Sequence, residues 1–320
     1  LSVKVDENGF IVKEQNETQE MFVERLKKQS TEFNRVISAT EWVSKEMNNL
    51  IYFINIPDHT NEELQKIISH IKENNIKYYI LGNGSNVIFK NCTFRKGIFI
   101  KDSNNVTFEN NTYSRAMYFD YLNNTVIDGC TFQDEDIQSV SGGGAYATYV
   151  NNLTFTNNYG FIQISRNVLI NNSYFANNFN EWGSGGVFNL GRAVTIENCK
   201  FINNTAGENG GVLFFEESGG MEIKNCYFEG NSAQNGGVFY TYPWTTIISE
   251  NNTFVNNRAK NNGVFGFEIE GYEVYMSPAL LFNDCKFINN TAEKGGVSTL
   301  KIGIFNNCSF IGNTADYGGA

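Results

Sequence analysis

The stretch CKFINNTAGENGG, from Cys199 to Gly211, is nearly repeated as CKFINNTAEKGG, from Cys285 to Gly296. The phenylalanine of this motif recurs at Phe132, Phe155, Phe175, Phe201, Phe228, Phe254, Phe287 and Phe310, at steps of 23, 20, 26, 27, 26, 33 and 23 residues. A period of about 20 to 50 residues is typical of solenoids and propellers, and propeller blades need about 40 or more. The shorter period therefore favours a solenoid. Phe94 and Phe108 also resemble the motif, but their irregular spacing assigns them to no unit.

Each unit predicts short strands separated by bends. In VTIENCKF, apolar residues alternate at Val194 and Ile196, and Cys199 and Phe201 follow a bend at Asn198. Asn-Asn and Gly-Gly supply the turns, because both tolerate positive φ. Three strands and three bends in 20-odd residues predict one coil of a parallel β-helix, with coils stacked about 4.8 Å apart. Phenylalanine then lies on phenylalanine, cysteine on cysteine and asparagine on asparagine, and buried asparagine amides bond along the stack.

The spacing divides each coil into a constant and a variable arm. From the motif phenylalanine to the first glycine of the pair the count is 9 for Phe201 and 8 for Phe228, Phe287 and Phe310, with Asn262 standing at the glycine position after Phe254. The variable arm, from that glycine to the next motif phenylalanine, instead carries the insertions EESGG, TYPWTT and EIEGYEVYMSPAL. We expect these insertions on one side of the solenoid, where variable loops on a rigid scaffold form binding surfaces.

The N-terminal portion follows a different pattern. Thr60 is a good N-cap with Glu63 three residues later, and Leu64, Ile67 and Ile71 belong to one apolar stripe. This pattern predicts a helical capping region over residues 1–80, which would close the apolar end of the β-helix repeats of residues 81–320. Because the chain lacks an initiator methionine and stops within a motif, we expect a piece of a longer protein, truncated at its C-terminus.

Composition excludes several classes of partner. The formal net charge of −10 argues against nucleic acid and an anionic membrane as the main partner, and no run of 18 apolar residues predicts a membrane span. The two histidines, His59 and His70, and the absence of a Cys-x-x-Cys pair make a zinc site improbable. Each of the six cysteines precedes a phenylalanine by two residues, which predicts buried free thiols of the repeat.

The repeat resembles known surface proteins. Phe-x-x-Asn followed by Gly-Gly and an apolar residue looks like the repeat of chlamydial polymorphic outer membrane proteins, and the Asn/Thr-rich form resembles adhesin-like surface proteins of methanogenic archaea. The pattern is carried by Phe175/Asn178/Gly185-Gly186, Phe201/Asn204/Gly210-Gly211, Phe228/Asn231/Gly236-Gly237, Phe287/Asn290/Gly295-Gly296 and Phe310/Asn313/Gly318-Gly319. The resemblance implies an extracellular, cell-surface protein for attachment to other cells, and it extends to the wider pectate-lyase-like β-helix group.

Aromatic residues near the insertions are the candidate ligand contacts. Exposed tyrosine and tryptophan stack on sugar rings and anchor protein interfaces. The alternative is that these rings pack the loops onto the coil. The candidates are Trp182, Tyr240, Tyr242, Trp244, Tyr272 and Tyr275.

Charged and glycosylation-type residues give weaker signals. Asp134, Glu135 and Asp136 are candidate Ca²⁺ ligands, or a solvated turn. Glu216, Glu217, Glu268 and Glu270 lie on neighbouring variable arms and are candidates for a carboxylate pair in glycoside hydrolysis or, alternatively, surface charge. The arginines available to a lyase are Arg166, Arg192 and Arg258. Asn-x-Ser/Thr sites include Asn152, Asn203, Asn251 and Asn289, of which those at inward bends would be unreachable.

The sequence thus predicts an all-β fold: a right-handed, single-stranded parallel β-helix (a solenoid) with an N-terminal helical cap. The predicted function is that of an adhesin-like protein without a catalytic site or obligatory cofactor, binding glycans or surface proteins of other cells. A polysaccharide lyase or glycoside hydrolase on the same fold is the first alternative, and a non-binding structural stalk is the second.

Overall fold

The computed structural model describes residues 51–56, 78–82, 87–91, 93–94, 98–101, 106–113, 117–120, 123–133, 140–215, 219–242, 245–267, 279–299 and 303–319. These residues form parallel strands and turns in three sheets, and no helix occurs among them. The predicted helix between Thr60 and Ile71 lies outside the described residues. All strand pairs are parallel between successive coils, as expected for a β-helix.

Sheet 1, the largest sheet, has seventeen strands. They are β1 (Ile51–Ile56), β2 (Tyr78–Gly82), β3 (Val87–Lys90), β5 (Ile98–Lys101), β6 (Val106–Glu109), β8 (Met117–Asp120), β9 (Asn123–Asp128), β11 (Val140–Asn151), β13 (Ile162–Asn171), β16 (Phe188–Glu197), β19 (Leu213–Phe215), β20 (Gly220–Lys224), β23 (Phe239–Thr241), β24 (Thr246–Glu250), β27 (Phe265–Phe267), β28 (Ala279–Asn283) and β31 (Ile304–Asn306).

Sheets 2 and 3 have ten and six strands. Sheet 2 contains β4 (Thr93–Phe94), β7 (Thr112–Tyr113), β10 (Thr131–Gln133), β12 (Thr154–Thr156), β14 (Tyr174–Ala176), β17 (Lys200–Ile202), β21 (Tyr227–Glu229), β25 (Thr253–Val255), β29 (Lys286–Ile288) and β32 (Ser309–Ile311). Sheet 3 contains β15 (Phe179–Asn180), β18 (Thr205–Ala206), β22 (Ser232–Asn235), β26 (Arg258–Asn261), β30 (Thr291–Lys294) and β33 (Thr314–Tyr317).

One coil passes through the three sheets in turn. The chain leaves sheet 2 at an asparagine corner, crosses sheet 3, turns at the Gly-Gly pair and returns along sheet 1. The return is one continuous strand in β11, β13 and β16, but two strands in later coils, as in β19 and β20. At the N-terminal side, β1 pairs with both β2 and β5, so these early strands extend sheet 1. The boundary at residue 80 between a cap and the repeats stays a prediction.

The motif phenylalanines form a continuous stack inside the coil, as predicted. Phe201 and Phe228 are fully buried, with ring centroids 4.9 Å apart and planes 3° from parallel. Phe94 belongs to this column, where it stacks on Tyr113 at 4.9 Å. Phe108 does not, because it lies in sheet 1 and stacks on Phe89 at 5.2 Å. Burial of these rings supplies the main stabilising contribution that each coil shares with its neighbours.

A buried asparagine ladder holds the corner between sheets 2 and 3. Asn204 Nδ2 donates to Asn231 Oδ1 at 3.0 Å and to the Phe175 carbonyl at 3.1 Å. Its Oδ1 accepts from the backbone N–H and the Nδ2 of Asn178, at 3.1 and 2.8 Å. The same contacts repeat along Asn158, Asn178, Asn204, Asn231, Asn257, Asn290 and Asn313. Each amide therefore satisfies backbone groups that the bend removes from the sheets.

The cysteine column has a comparable role at the corner between sheets 1 and 2. The Cys226 thiol donates to the Lys224 carbonyl at 3.2 Å, and its Sγ accepts the Cys199 backbone N–H at 3.4 Å. Ser173 and Asn252 make the equivalent contacts in other coils. Cys130, Cys199, Cys226 and Cys285 are buried free thiols, which confirms the prediction for these four; Cys308 is also a free thiol but is only half-buried.

The two glycines of each pair are required for different reasons. The first adopts positive φ, for example 65° at Gly210, and Asn262 replaces it at 61°. The second has no room for a side chain, because a Cβ on Gly263 would lie 2.1 Å from the Gly296 carbonyl oxygen of the next coil. This requirement explains why Asn-Gly replaces Gly-Gly in one coil while the second glycine is kept.

Candidate binding surfaces

The insertions leave sheet 1 at one position of the coil. The residues at which they depart are register partners in successive coils: Phe215 pairs with Thr241, and Thr241 with Phe267. The chain resumes at another shared position, where Met221 pairs with Ile247, and Ile247 with Leu280. The expectation that the insertions share one side is thus confirmed for the points at which they depart and return.

The length of the interruption differs between coils. Between the matched positions Leu190 and Val194, β16 crosses the bend with residues 191–193, which are three residues. The next coils use 216–220 and 242–246, five residues each, and the third uses 268–279, twelve residues. The scaffold therefore accepts between three and twelve residues in these coils from a constant base, and we call this position the insertion column.

Beside the insertion column, the outer face of sheet 1 is covered. Tyr240 faces outward from β23 but is only 7% exposed, and its ring stacks on Phe214 at 6.0 Å. Tyr242 is half-buried and meets Phe214 edge-on at 5.9 Å. In this structure both rings pack onto the coil, which is the alternative considered for them from the sequence. Their role as ligand contacts stays a prediction.

Several candidates lie outside the described residues. These are Trp244, Tyr272 and Tyr275 among the aromatic residues, Asp134, Glu135 and Asp136 among the calcium candidates, and Glu216, Glu217, Glu268 and Glu270 among the carboxylates. Among the residues that the structure does describe, no group of three or more His, Cys, Asp or Glu side chains could hold a metal ion.

Trp182 lies at a different corner, the one that precedes the Gly-Gly pair. Its side chain is 81% exposed. The turn beneath it is held by the coil: Asn180 Nδ2 donates to the Ser184 carbonyl at 3.0 Å, and the Glu208 N–H donates to the Gly183 carbonyl at 3.1 Å. The structure therefore separates Trp182 from Tyr240 and Tyr242, which lie at the insertion column.

Two aromatic residues missed from the sequence accompany Trp182. Phe179 is 39% exposed and meets Tyr159 of the preceding coil edge-on at 5.7 Å. The Tyr159 hydroxyl donates to Glu181 Oε2 at 2.7 Å, which links the residue before Trp182 to the preceding coil. The signal in the sequence is the residue after the buried asparagine. It is aromatic in these two coils, whereas the next five coils have Thr205, Ser232, Arg258, Thr291 and Thr314. We call Tyr159, Phe179, Glu181 and Trp182 the corner patch.

A second, partly buried amide ladder starts at the corner patch. Asn209 Nδ2 donates to Ser184 Oγ at 3.1 Å, Asn235 Nδ2 to Asn209 Oδ1 at 2.9 Å, and Asn261 Nδ2 to Asn235 Oδ1 at 2.9 Å. Lys294 occupies the next position of the column. This outer ladder runs along the solenoid axis, with one amide in each coil.

Charges on the described surface are dispersed rather than clustered. Arg166 and Arg192 are exposed neighbours in β13 and β16, whereas Arg258 belongs to sheet 3. The Lys224 ammonium lies 3.2 Å from Glu222 and 3.7 Å from Glu250, and its hydrogen bond to Glu222 and both carboxylate charges raise its pKa. Such exposed pairs contribute little to stability.

The four glycosylation-type asparagines examined in the sequence all lie at outward corners. Asn152, Asn203, Asn251 and Asn289 are exposed and have φ between 46° and 53°. Their side chains are therefore accessible in the folded coil, in contrast to the buried asparagine that follows three of them.

Comparison with known proteins gives the family. The family described as the right-handed β-helix region matches residues 74–242 and 160–318, which together span 74–318. The chain belongs to the right-handed β-helix family. No curated protein and no solved structure shows significant similarity to it. The domain is shared by pectate lyases, hydrolases and adhesins, so the family includes both enzymes and non-enzymes. No helix able to span a bilayer occurs in the described part of the chain.

Proposed function

We propose that this β-helix is an extracellular, cell-surface recognition protein of the adhesin-like type, whose insertion column presents loops to glycans or proteins on other cells. The observation that carries this proposal is the shared position of the three insertions. Phe215, Thr241 and Phe267 are stacked neighbours, and the chain between the matched positions lengthens from five to twelve residues. Because β16 crosses the same bend with three residues, the additional residues of the other coils are not needed for the stability of the coil. Their presence favours a recognition role.

The scaffold can hold the ends of the insertions in fixed positions because contacts between successive coils constrain it. The buried asparagine ladder and the phenylalanine stack fix the spacing of successive coils, so loops anchored at the insertion column start from rigid positions. Binding through preorganised loops loses less conformational entropy than binding through a flexible chain.

The structure supplies the template for a direct test. In β16 the segment Gly191-Arg192-Ala193 crosses the bend, with Ala193 at φ 55°. Replacing residues 268–279 by Gly-Arg-Gly should leave the coil intact and reduce adhesion of the 320-residue chain to a panel of fixed microbial cells by at least about tenfold. The same replacement of 216–220 is the matched control for the shortest insertion, with a smaller expected loss.

A second assay separates this proposal from the enzymatic alternatives. Incubation with xylan, mannan and polygalacturonate, followed by measurement of new reducing or unsaturated ends, should give no cleavage. Appearance of such ends would make the protein a hydrolase or lyase, and adhesion unchanged by the replacements would place recognition away from the insertion column.

A further inference from the structure

We infer that the corner patch and the outer amide ladder form a second binding surface, which takes an uncharged polysaccharide chain lying along the solenoid axis. The inference goes beyond the insertion column and deepens the proposed recognition function by naming a ligand class. It begins from the exposure of Trp182, which at 81% is the largest among the exposed apolar side chains of the described residues.

The corner patch has the composition that a sugar ring requires. The flat face of an indole accepts the C–H face of a pyranose, and a rigid aromatic ring loses little conformational entropy on binding. Glu181 precedes Trp182 in the chain, and one of its carboxylate oxygens accepts from the Tyr159 hydroxyl, which leaves further lone pairs as acceptors for sugar hydroxyls. Phe179 adds exposed apolar surface in the same coil.

The turn that carries Trp182 is preorganised. A Cβ on Gly207 would lie 1.8 Å from the Glu181 carbonyl oxygen, so the glycine in the next coil allows the turn to lie directly against it. The Gly207 N–H also donates to the Asn180 carbonyl at 2.7 Å. An exposed tryptophan on backbone held in this way is positioned before any ligand arrives.

The outer ladder explains why the ligand is a chain rather than a single sugar. Each asparagine of the ladder uses one N–H for the preceding coil, and an amide has a second N–H and further lone pairs. Asn209, Asn235 and Asn261 thereby offer donors and acceptors once per coil, about every 4.8 Å along the axis. This repeat is comparable with the length of one sugar unit in an extended polysaccharide.

Charge selects the neutral form of the ligand. Glu181 and Glu208 are both exposed at this corner, and the whole chain carries a formal net charge of −10. A uronate polymer would meet like charge at this corner, whereas the hydroxyls of a neutral polymer pair with carboxylates and amides alike.

The test is affinity electrophoresis of the 320-residue chain in gels containing hydroxyethylcellulose, xylan, mannan or polygalacturonate. We expect retardation by at least one of the first three and none by polygalacturonate. Trp182→Ala should weaken the retardation about tenfold or more, and Trp182→Phe less. Tyr174→Ala, which removes a 40% exposed ring from the outer face of sheet 2, is the matched control and should change nothing. Because Trp182 is exposed, Trp182→Ala should also melt at the temperature of the parent chain.

A second measurement reports on Trp182 itself. In a Trp42→Phe/Trp244→Phe background Trp182 is the remaining tryptophan of the three, and its fluorescence should become less accessible to acrylamide when the retarding polysaccharide is added. Retardation equal in the parent and Trp182→Ala, retardation by none of the neutral polymers, or preference for polygalacturonate would overturn the inference. These outcomes leave the cell-adhesion test of the insertion column unaffected, so the two proposals fail separately.

Discussion

Asn231 Oδ1 accepts two hydrogen bonds from Asn204 in the preceding coil, from the backbone N–H at 2.9 Å and from Nδ2 at 3.0 Å. Asn231 Nδ2 in turn donates to Asn257 Oδ1 and to the Phe201 carbonyl, both at 3.0 Å. One fully buried side chain thus joins three coils. This relationship makes the ladder a specific source of stability in addition to apolar burial.

Asn231→Ala should therefore destabilise the coil far more than the change in volume suggests. The substitution leaves the Asn204 backbone N–H and the Phe201 carbonyl buried without these partners, at about 1–3 kcal/mol for each group. We expect a loss of about 3 kcal/mol or more in the free energy of unfolding, measured by urea denaturation. Asn203→Gly is the matched control, because Gly230 and Gly312 already occupy this positive-φ corner in other coils; it should be nearly neutral. Equal effects of the two substitutions would contradict the role of the ladder.

Substitutions at the two positions of the glycine pair should differ in their cost to stability. Gly263→Ala places a Cβ 2.1 Å from the Gly296 carbonyl oxygen and 3.0 Å from that of Thr291, so the coils must separate, at a cost of about 3 kcal/mol or more. Asn262→Gly keeps the positive φ and loses only the bonds that Asn262 Oδ1 accepts from Thr299, about 1 kcal/mol. Thermal melting of the two variants compares them, and a larger loss for Asn262→Gly would refute the steric explanation.

The contribution of the buried Cys130 thiol to stability should be lost in alkaline solution. Burial raises the pKa of Cys130 from its ordinary value of 9.0 to about 11. Below pH 9 the thiol is neutral in both states and its contribution is complete. Between pH 9 and about 11 only the unfolded chain ionises, so the contribution is progressively lost, on the order of 2–3 kcal/mol in total.

The comparison that isolates this effect uses Cys130→Ser, since Ser173 occupies the same column in another coil. With both proteins kept reduced, the unfolding free energy of the parent should fall relative to that of the variant between pH 8 and pH 10.5. A difference that is constant with pH would show that Cys130 does not titrate in this way.

Most of the fold could be predicted from the sequence because the repeated residues are the ones that touch. Phe201 and Phe228 recur with one period and stack in the structure, and the Asn204 and Asn231 amides do the same. What the period could not show was the environment of the outward faces. Alternation places Tyr240 outside, yet the outer surface of β23 is covered, and a repeat pattern holds no information about that cover.

The corner patch was only partly predictable for a related reason. Trp182 stands out in the sequence, but Tyr159 and Phe179 do not, because the position that they occupy after the buried asparagine is polar or charged in the next five coils. They meet through the register of adjacent coils, where Tyr159 and Phe179 form a parallel bridge. Contacts of this kind depend on the alignment of coils of unequal length, which the phenylalanine spacing alone does not determine.

In the coil containing Asn111 and Tyr113, both the cysteine and the phenylalanine of the motif are replaced, so the motif is not recognisable in the sequence. Tyr113 occupies the phenylalanine column and Asn111 the cysteine column, and Asn111 Nδ2 donates to the Tyr113 hydroxyl at 3.1 Å and to the Phe89 carbonyl at 2.9 Å. Both residues are buried, so the larger polar pair replaces Cys and Phe as a unit.

We therefore expect the two positions to be coupled in stability. Tyr113→Phe alone removes the acceptor of a buried amide and should cost about 1–3 kcal/mol in unfolding free energy. Asn111→Cys/Tyr113→Phe restores the motif of the neighbouring coils and should recover at least about 1 kcal/mol of that loss, a coupling that a double-mutant cycle in urea measures. The single Asn111→Cys completes the cycle. Strictly additive losses would mean that the residues at positions 111 and 113 pack independently. The hydrogen bond between Asn111 and Tyr113 would then contribute nothing to stability.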